Sequence, residues 1–376
     1  MKTAGTVFQT IFPRSGKSLK PESPRNQKKI KVKTKYVILY GALVILFPVI
    51  LTMLLGRINS KPENDNNIVL SGKYVILSDD TVTKKIDVEY FIPCVLMAQL
   101  PIDSPQELLK AQAVVIRTYI INKMGKKDSI NAKELSLPYI SYGKLREMWF
   151  AKYKKNNLRN IRGILCNISG MGKSIPYREN TQYLYGIIKK TNGMVLKSNG
   201  EIILPLFHQT SNGQTRSGSE VLGKKYEYLK REKCGNDIQQ ENYIGIKYFE
   251  TGEFGNVLKE QGIIAYKDKK EIFVDKNVST KELLGLIDIS NRDKSGYVKI
   301  VKIGDTVVEG GVFAKALGLQ STDMTIEEYE KGIRITTKGV GHGFGMSLTY
   351  GAGLAGEGKT WKEILERFYD ASIVEN

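Results

Sequence analysis

From Val88 to Ala98 the chain is apolar apart from Glu89 and Tyr90, a run that predicts a buried helix ended by Pro101. A second helix start follows at once. Ser104 is placed to cap it, Pro105 fills its first position, and Glu107 three residues on completes a capping box. Leu109, Ala113, Ile116 and Ile120 recur at helical spacing. Leu108, Val114, Val115 and Tyr119 widen that stripe almost all round, so this helix is expected inside the protein, with Gly125 just past its end. Before these helices, alternating runs at Tyr74–Leu77 and Val82–Val88 predict strands.

The rest of the pattern mixes both periods. Residues 126–179 are polar, basic and poorly periodic, and read as an elaboration beside the domain. Thr181–Lys190 reads as a helix. Val195–Leu204 reads as a hairpin, with Asn199-Gly200 supplying the two positive-φ positions of a type I′ turn. Its second strand runs into Phe207-His208. Residues 244–336 combine short strands with one or two helices. Gly339, Gly341, Gly343 and Gly345 then alternate, a helix is expected from Met346 to Ala355, and Thr360 with Glu363 caps a last helix reaching Tyr369. No internal repeat is visible. The fold class is α+β.

Topology changes the picture. Residues 1–35 carry ten Lys/Arg and one acid, Glu22, which predicts a basic, disordered cytoplasmic tail. Tyr36–Leu55 is a 20-residue uncharged run. At about 1.5 Å per residue it spans a bilayer core of roughly 30 Å. A cleaved signal peptide fits less well, because the basic region is long and no small-x-small site follows. The expected organisation is a tail (1–35), a transmembrane anchor (36–56), a polar linker (57–67) and an ectodomain (68–376) outside the membrane. The formal net charge of +18 leaves the ectodomain about +9, a solvated basic surface or one drawn to anionic polymer. Nucleic acid is not an expected partner outside the membrane.

The cysteines and a glycine motif add little chemistry. With three cysteines, Cys94 falls in the apolar helix and Cys166 and Cys234 remain as a pair that a disulfide could join. Ser169-Gly-Met-Gly-Lys-Ser174 lacks the first glycine and the leading strand of a phosphate loop. The two histidines are more informative. His208 opens a loop of small polar residues, Thr210, Ser211, Gln214 and Thr215, which suits sugar hydroxyls and acetamido groups or else forms a self-capped turn. His342 lies between glycines that let a polymer approach the backbone, or it is a structural histidine in a tight turn. The helix N-terminus just after it, at Met346-Ser347, is expected to present free N–H groups. Two histidines and a distant Cys234 do not make a zinc spacing, so neither metal nor cofactor is expected.

Three blocks in order carry a resemblance. They are Val88 to Tyr119 with Ala98-Gln99-Leu100-Pro101, Phe207-His-Gln-Thr-Ser-Asn-Gly-Gln-Thr215, and Val340-Gly-His-Gly-Phe-Gly-Met-Ser347, with Ala316-Leu-Gly-Leu-Gln-Ser321 between. Together they resemble the SpoIID/LytB family, over roughly residues 84–370. The resemblance implies a SpoIID-type ectodomain with a glycan-binding groove, related to peptidoglycan lytic transglycosylases. It also implies a place in septal wall remodelling during sporulation, with an amidase/endopeptidase and a membrane scaffold of the engulfment complex as partners. The glycan contacts it implies are His208, Thr210, Ser211, Gln214, Thr215, His342, Met346 and Ser347.

The family motif reads Ala-Glu-Met-Pro, and its Glu is the acid/base. Gln99 stands at that position. One carboxyl must protonate the glycosidic oxygen and then, as the base, help the muramoyl 6-hydroxyl close on C1. An amide donates a hydrogen bond but transfers no proton. The expectation is therefore a glycan-binding protein with impaired catalysis. The alternative is an active lytic transglycosylase that draws its proton from Asp103 or Glu89. Gln112 and Arg117 lie on the buried helix. Arg117 either is pinned by carbonyls or an acid such as Glu89, or acts with Glu89 and Gln112 in support of residue 99.

Overall fold

The computed structural model describes residues 68–78, 83–157, 175–273 and 279–376. The expected tail, anchor and linker lie outside these residues, as do Cys166 and the Ser169–Ser174 loop. Among the described residues no helix is long and apolar enough to cross a membrane.

The fold is α+β, with one large and one smaller hydrophobic core. Strands β1 (Tyr74–Ser78) and β2 (Thr83–Asp87) pair antiparallel. Strand β2 runs directly into helix α1 (Val88–Gln99), whose N-cap Asp87 accepts from the Glu89 N–H. Helix α2 (Gln106–Met124) lies against it, buried on nearly every side as its wide apolar stripe requires. Its cap differs from expectation. Pro105 is the N-cap and makes no side-chain bond. Glu107 binds Lys110, and its other oxygen accepts from the Trp361 N–H at 2.8 Å. The acid thus satisfies an orphan donor at the start of a different helix rather than its own.

Strand β3 (Ser129–Asn131) joins β1 in parallel, and helices α3 (Tyr142–Asn157) and α4 (Ile175–Lys189) pack together. Leu135, Leu145 and Trp149 belong to the main core. The described part of residues 126–179 is therefore built into the domain rather than set beside it. Its few apolar residues fall at core positions, too sparse to register as periodicity. The hairpin β4 (Met194–Ser198) and β5 (Glu201–Ile202) turns at Asn199 (φ 52°) and Gly200 (φ 81°), as expected of a type I′ turn.

Strand β6 (Phe207–His208) precedes the smaller core. That core is built on β7 (Ile244–Glu250), α5 (Thr251–Glu260), β8 (Ile300–Ile303), β9 (Thr306–Glu309), α6 (Gly310–Ala316), β10 (Met324–Tyr329) and β11 (Gly332–Lys338). Strand β11 is the centre of an antiparallel sheet between β10 and β7, and its Ile333 and Ile335 meet Phe254, Leu258 and Phe313 inside. The chain then returns to the main core through β12 (Met346–Ser347), α7 (Leu348–Gly356), α8 (Trp361–Phe368) and β13 (Ser372–Glu375). Helix α7 begins two residues later than its sequence suggests, because Met346 and Ser347 pair in parallel with Phe207 and His208. The Thr360/Glu363 capping box forms as read.

Cys94 and Cys234 are buried free thiols, and burial pushes the Cys94 thiol up to about 12. The Cys234 Sγ faces the Glu232 carbonyl at 3.5 Å rather than a second sulfur.

Arg117 is pinned by an acid and by a carbonyl together, the structural one of the two readings. Its Nε and Nη2 meet the Glu89 carboxylate at 2.6 and 2.7 Å, and Nη1 donates to the Met194 carbonyl at 3.1 Å. Both side chains are closed to solvent. This bidentate pair locks α1, α2 and β4 together. Removing one member leaves a buried charge without its partner, which costs about 3–5 kcal/mol. Arg117→Met should lower the unfolding free energy by that amount in urea titrations, and Glu89→Gln/Arg117→Met should recover part of it. A single variant within about 0.5 kcal/mol of wild type would contradict this reading.

Candidate functional site

Gln99 is the last residue of α1 and is half-buried. Its Oε1 accepts from Gln112 Nε2 at 2.6 Å, while Gln99 Nε2 and Gln112 Oε1 are both out of water and without a partner. Gln112 is therefore bonded directly to residue 99. Glu89 and Arg117 are not. Glu89 lies ten residues before Gln99 on the same helix, roughly 15 Å along its axis. It is also engaged on both oxygens by Arg117.

The two histidine blocks meet at the β6–β12 pair. Gly345 makes this possible: a Cβ there would fall 1.8 Å from the Leu206 carbonyl oxygen. One residue, Phe344, fixes both rings. Its carbonyl accepts from His208 Nδ1 at 3.1 Å, and its N–H donates to His342 Nδ1 at 3.1 Å. A carbonyl cannot donate and an N–H cannot accept, so the tautomers are opposite. His208 carries its proton on Nδ1, and its Nε2 is a bare, buried acceptor. His342 carries its proton on Nε2. The ring centroids are 5.9 Å apart.

Electrostatics keep both rings neutral. His208 is buried, and loss of water, with His342 beside it, pulls its imidazole down to about 3. His342 is exposed at the surface, yet crowded by protein and close to the Arg216 guanidinium, and both effects lower its pKa.

The small polar residues are mostly turned inward. Thr210 Oγ1 bonds Thr349 Oγ1 at 2.9 Å, and Thr215 Oγ1 donates to the Lys230 carbonyl at 2.7 Å. Ser211 and Ser347 both donate hydroxyls to Asp237. Met346 is buried. Gln214 is half-buried, and with His342 and the edge of Gln99 it keeps surface toward solvent. The N-terminus of α7 is not a free row of donors either. The Tyr350 N–H goes to Ser347 Oγ and the Thr349 N–H to the Gln209 carbonyl.

Several residues outside the motifs hold this arrangement. Arg216 pairs with Asp293 at 2.5 Å and lies over the Phe344 and Tyr297 rings, 4.4 and 5.0 Å from their centroids. Tyr297 Oη accepts from the Asn212 N–H at 2.9 Å, and Asn212 Nδ2 reaches Ser295 and Asp323. Asp237 sits beneath the loop, fully buried. Sequence reasoning missed these residues, because a polar turn such as Cys234-Gly-Asn-Asp carries no local sign that it will be buried.

The helix that carries Gln112 packs on α7, which follows the second histidine block. A Cβ on Gly351 would lie 3.0 Å from Leu108, one helical turn from Gln112, and 3.9 Å from Met346. A cleft of about 340 Å³ opens between the β4–β5 hairpin and the Lys224–Tyr226 turn, and none of the motif residues line it. Polymer recognition needs no deep pocket, so the motif surface remains the better candidate. Among the described residues no cluster of His, Cys, Asp and Glu could hold a metal ion.

The class that the fold defines is an α+β domain in which two histidine-bearing segments meet at a short parallel strand pair. The comparisons place it further. The family model for SpoIID, stage II sporulation protein, matches residues 78–197. The stage II sporulation protein D of Bacillus subtilis (strain 168) is 26% identical over 301 residues, covering 77% of this chain and 75% of that protein. That of Bacillus amyloliquefaciens is 26% identical over 288 residues, covering 76% and 73%. An uncharacterized protein of Brachyspira hyodysenteriae is also 26% identical, over 292 residues. The chain belongs to the SpoIID family.

The depressed His208 gives a pH test. Its folded pKa lies below the unfolded value of about 6.5, so the unfolded chain binds a proton first as pH falls. The stability that neutral His208 contributes is present above about pH 6.5 and is lost as pH drops toward about 3. His208→Asn keeps a donor for the Phe344 carbonyl but cannot titrate. Between pH 7.5 and 4.5 wild type should lose about 2–3 kcal/mol more than this variant in urea titrations. Equal losses would show that His208 is not held neutral.

Proposed function

We propose that this protein is a membrane-anchored, glycan-binding member of its family that acts at the cell wall during sporulation with little or no transglycosylase activity. The observation that carries this reading is Gln99, an amide bonded to Gln112 where the family motif has a carboxyl. The amide keeps the size and polar reach of Glu, so contact with a sugar survives while proton transfer does not. Losing general acid–base catalysis typically removes about 10²–10⁴-fold in rate.

Of the two substitute donors, Glu89 is closed to solvent and fully engaged with Arg117. Asp103 lies exposed in the turn between α1 and α2 and is the remaining route to an active enzyme. The anchor at residues 36–56, an ectodomain outside the membrane, and partnership with an amidase/endopeptidase and a membrane scaffold complete the proposal. Peptidoglycan glycan strands are the ligand, met by His342, Gln214 and the edge of Gln99. The inward residues His208, Thr210, Ser211, Thr215, Met346 and Ser347 shape that surface from beneath.

The test uses the full chain in detergent micelles with peptide-free glycan strands. Binding without anhydromuramoyl ends by mass spectrometry is the expected result, and Gln99→Glu should raise product at least ~10²-fold. Anhydromuramoyl product from the wild-type chain, abolished by Asp103→Asn, would overturn the reading in favour of an active enzyme.

A further inference from the structure

Asp237 lies in none of the motif blocks, yet it touches two of them at a single atom. Its Oδ2 accepts from the Ser211 N–H at 2.7 Å, from Ser211 Oγ at 2.6 Å and from Ser347 Oγ at 2.8 Å. Ser211 is three residues from His208, and Ser347 is directly opposite His208 in the β6–β12 pair. Each serine hydroxyl in turn accepts from the backbone, Ser211 from the Gly213 N–H at 3.2 Å and Ser347 from the Tyr350 N–H at 3.2 Å. One oxygen therefore orders the polar loop after His208 and the start of α7 together.

The short Gly235–Gln239 turn that carries Asp237 is itself fastened to both sides. The Cys234 N–H donates to the Gly213 carbonyl at 2.8 Å. The Asn236 side chain lies against α7, 2.5 Å from where a Cβ on Gly353 would be, and Ile238 lies 3.2 Å from the corresponding point on Gly213. The second oxygen, Oδ1, is out of water and has no partner. Work at this position is thus done by one acceptor atom, not by a carboxylate bridging two donors. Leaving Oδ1 buried and unpaired is costly, and the three bonds to Oδ2 offset that cost.

We propose that Asp237 is the positioning residue of the glycan surface: a single buried oxygen that holds the two histidine-bearing segments in register, so that His208 and His342 keep opposite tautomers. The proposal rests on the glycan-binding reading for its ligand, but its geometric half stands on the rings alone. It also predicts which replacement works. Asn can set an oxygen where Oδ2 lies and needs only to bury its amide nitrogen where Oδ1 is already unpaired. Leu has nearly the same volume and no acceptor, and would leave three donors without a partner.

The chain has only two histidines, so imidazole ¹⁵N spectra of the full chain contain two rings. Wild type should show one ring protonated at Nδ1 and one at Nε2. Asp237→Leu should give averaged tautomers and weaken binding of peptide-free glycan strands at least 10-fold. Asp237→Asn should restore both readouts to within about 3-fold of wild type. The control is Leu283→Ala, which opens a cavity in the second core; it lowers thermal stability but should keep both ring spectra and affinity.

Asp237→Leu with wild-type rings and affinity would overturn the proposal. So would a Leu283→Ala protein that loses binding to the same extent at the same loss of Tm. If Asp237→Leu does not fold, Ser347→Ala removes one of the three donors and should shift the rings in the same direction; unchanged rings there would overturn it. A wild-type chain that binds no glycan defeats the proposed function, while the ring spectra still decide the role of Asp237.

Discussion

Two residues of parallel strand hold the candidate site together. Phe207–His208 and Met346–Ser347 are far apart in the chain, and a pair this short has little stability of its own. It persists because its surroundings over-determine it. Gly345 admits the Leu206 carbonyl where any side chain would collide. Tyr369 Oη donates to that same carbonyl at 2.7 Å. Asp237 gathers the serines, and Tyr297 and Asp293, flanking the smaller core, brace the loop through Asn212 and Arg216. The smaller core thus has a purpose beyond its own packing. Its Asp293, Ser295, Tyr297 and Asp323 all reach into the segment Asn212–Arg216.

The electrostatic character of the site follows from this crowding. Arg216 is the charge nearest the histidines, and its own charge is matched by Asp293. The imidazoles are kept neutral, and the Phe344 peptide sets their protons on opposite nitrogens. A surface of neutral donors and acceptors suits the hydroxyl and acetamido groups of a glycan better than it suits phosphate. The overall basic charge acts at longer range and is weakened by salt.

How far this could be read in advance depended on the kind of signal. Helices α1 and α2 were legible because burial on nearly all sides writes a dense apolar pattern, and the Asn199-Gly200 turn because only certain residues tolerate its backbone. The pairing of Glu89 with Arg117 was legible as a need: a buried cation must find an anion, and few were near. Helix α3 was not, since Leu145 and Trp149 are too few to mark a face. Glu107 misled because its acceptor role is real but serves Trp361, a residue 254 positions away. Ser211 and Thr215 are legible in sequence either as offered to a ligand or as part of a self-capped turn, and neither reading points to Asp237 and the Lys230 carbonyl as their partners. Polar residues advertise that they will bond, not with whom.

That limit bears directly on Gln99. Its neighbour Gln112 is fully buried and bonds it through an amide, and an amide partner suits either a carboxyl or an amide at residue 99. With Glu, the Gln112 nitrogen would donate to one oxygen, and burial would raise the pKa of the other toward that of a working acid. With Gln, the same bond forms and one nitrogen and one oxygen are left unpaired. The helix register, the α1–α2 packing and the partner are therefore all compatible with an acid, and the difference is a single atom. A change confined so narrowly alters what residue 99 can transfer far more than what it can touch, so the proposed binding is compatible with the proposed loss of cleavage.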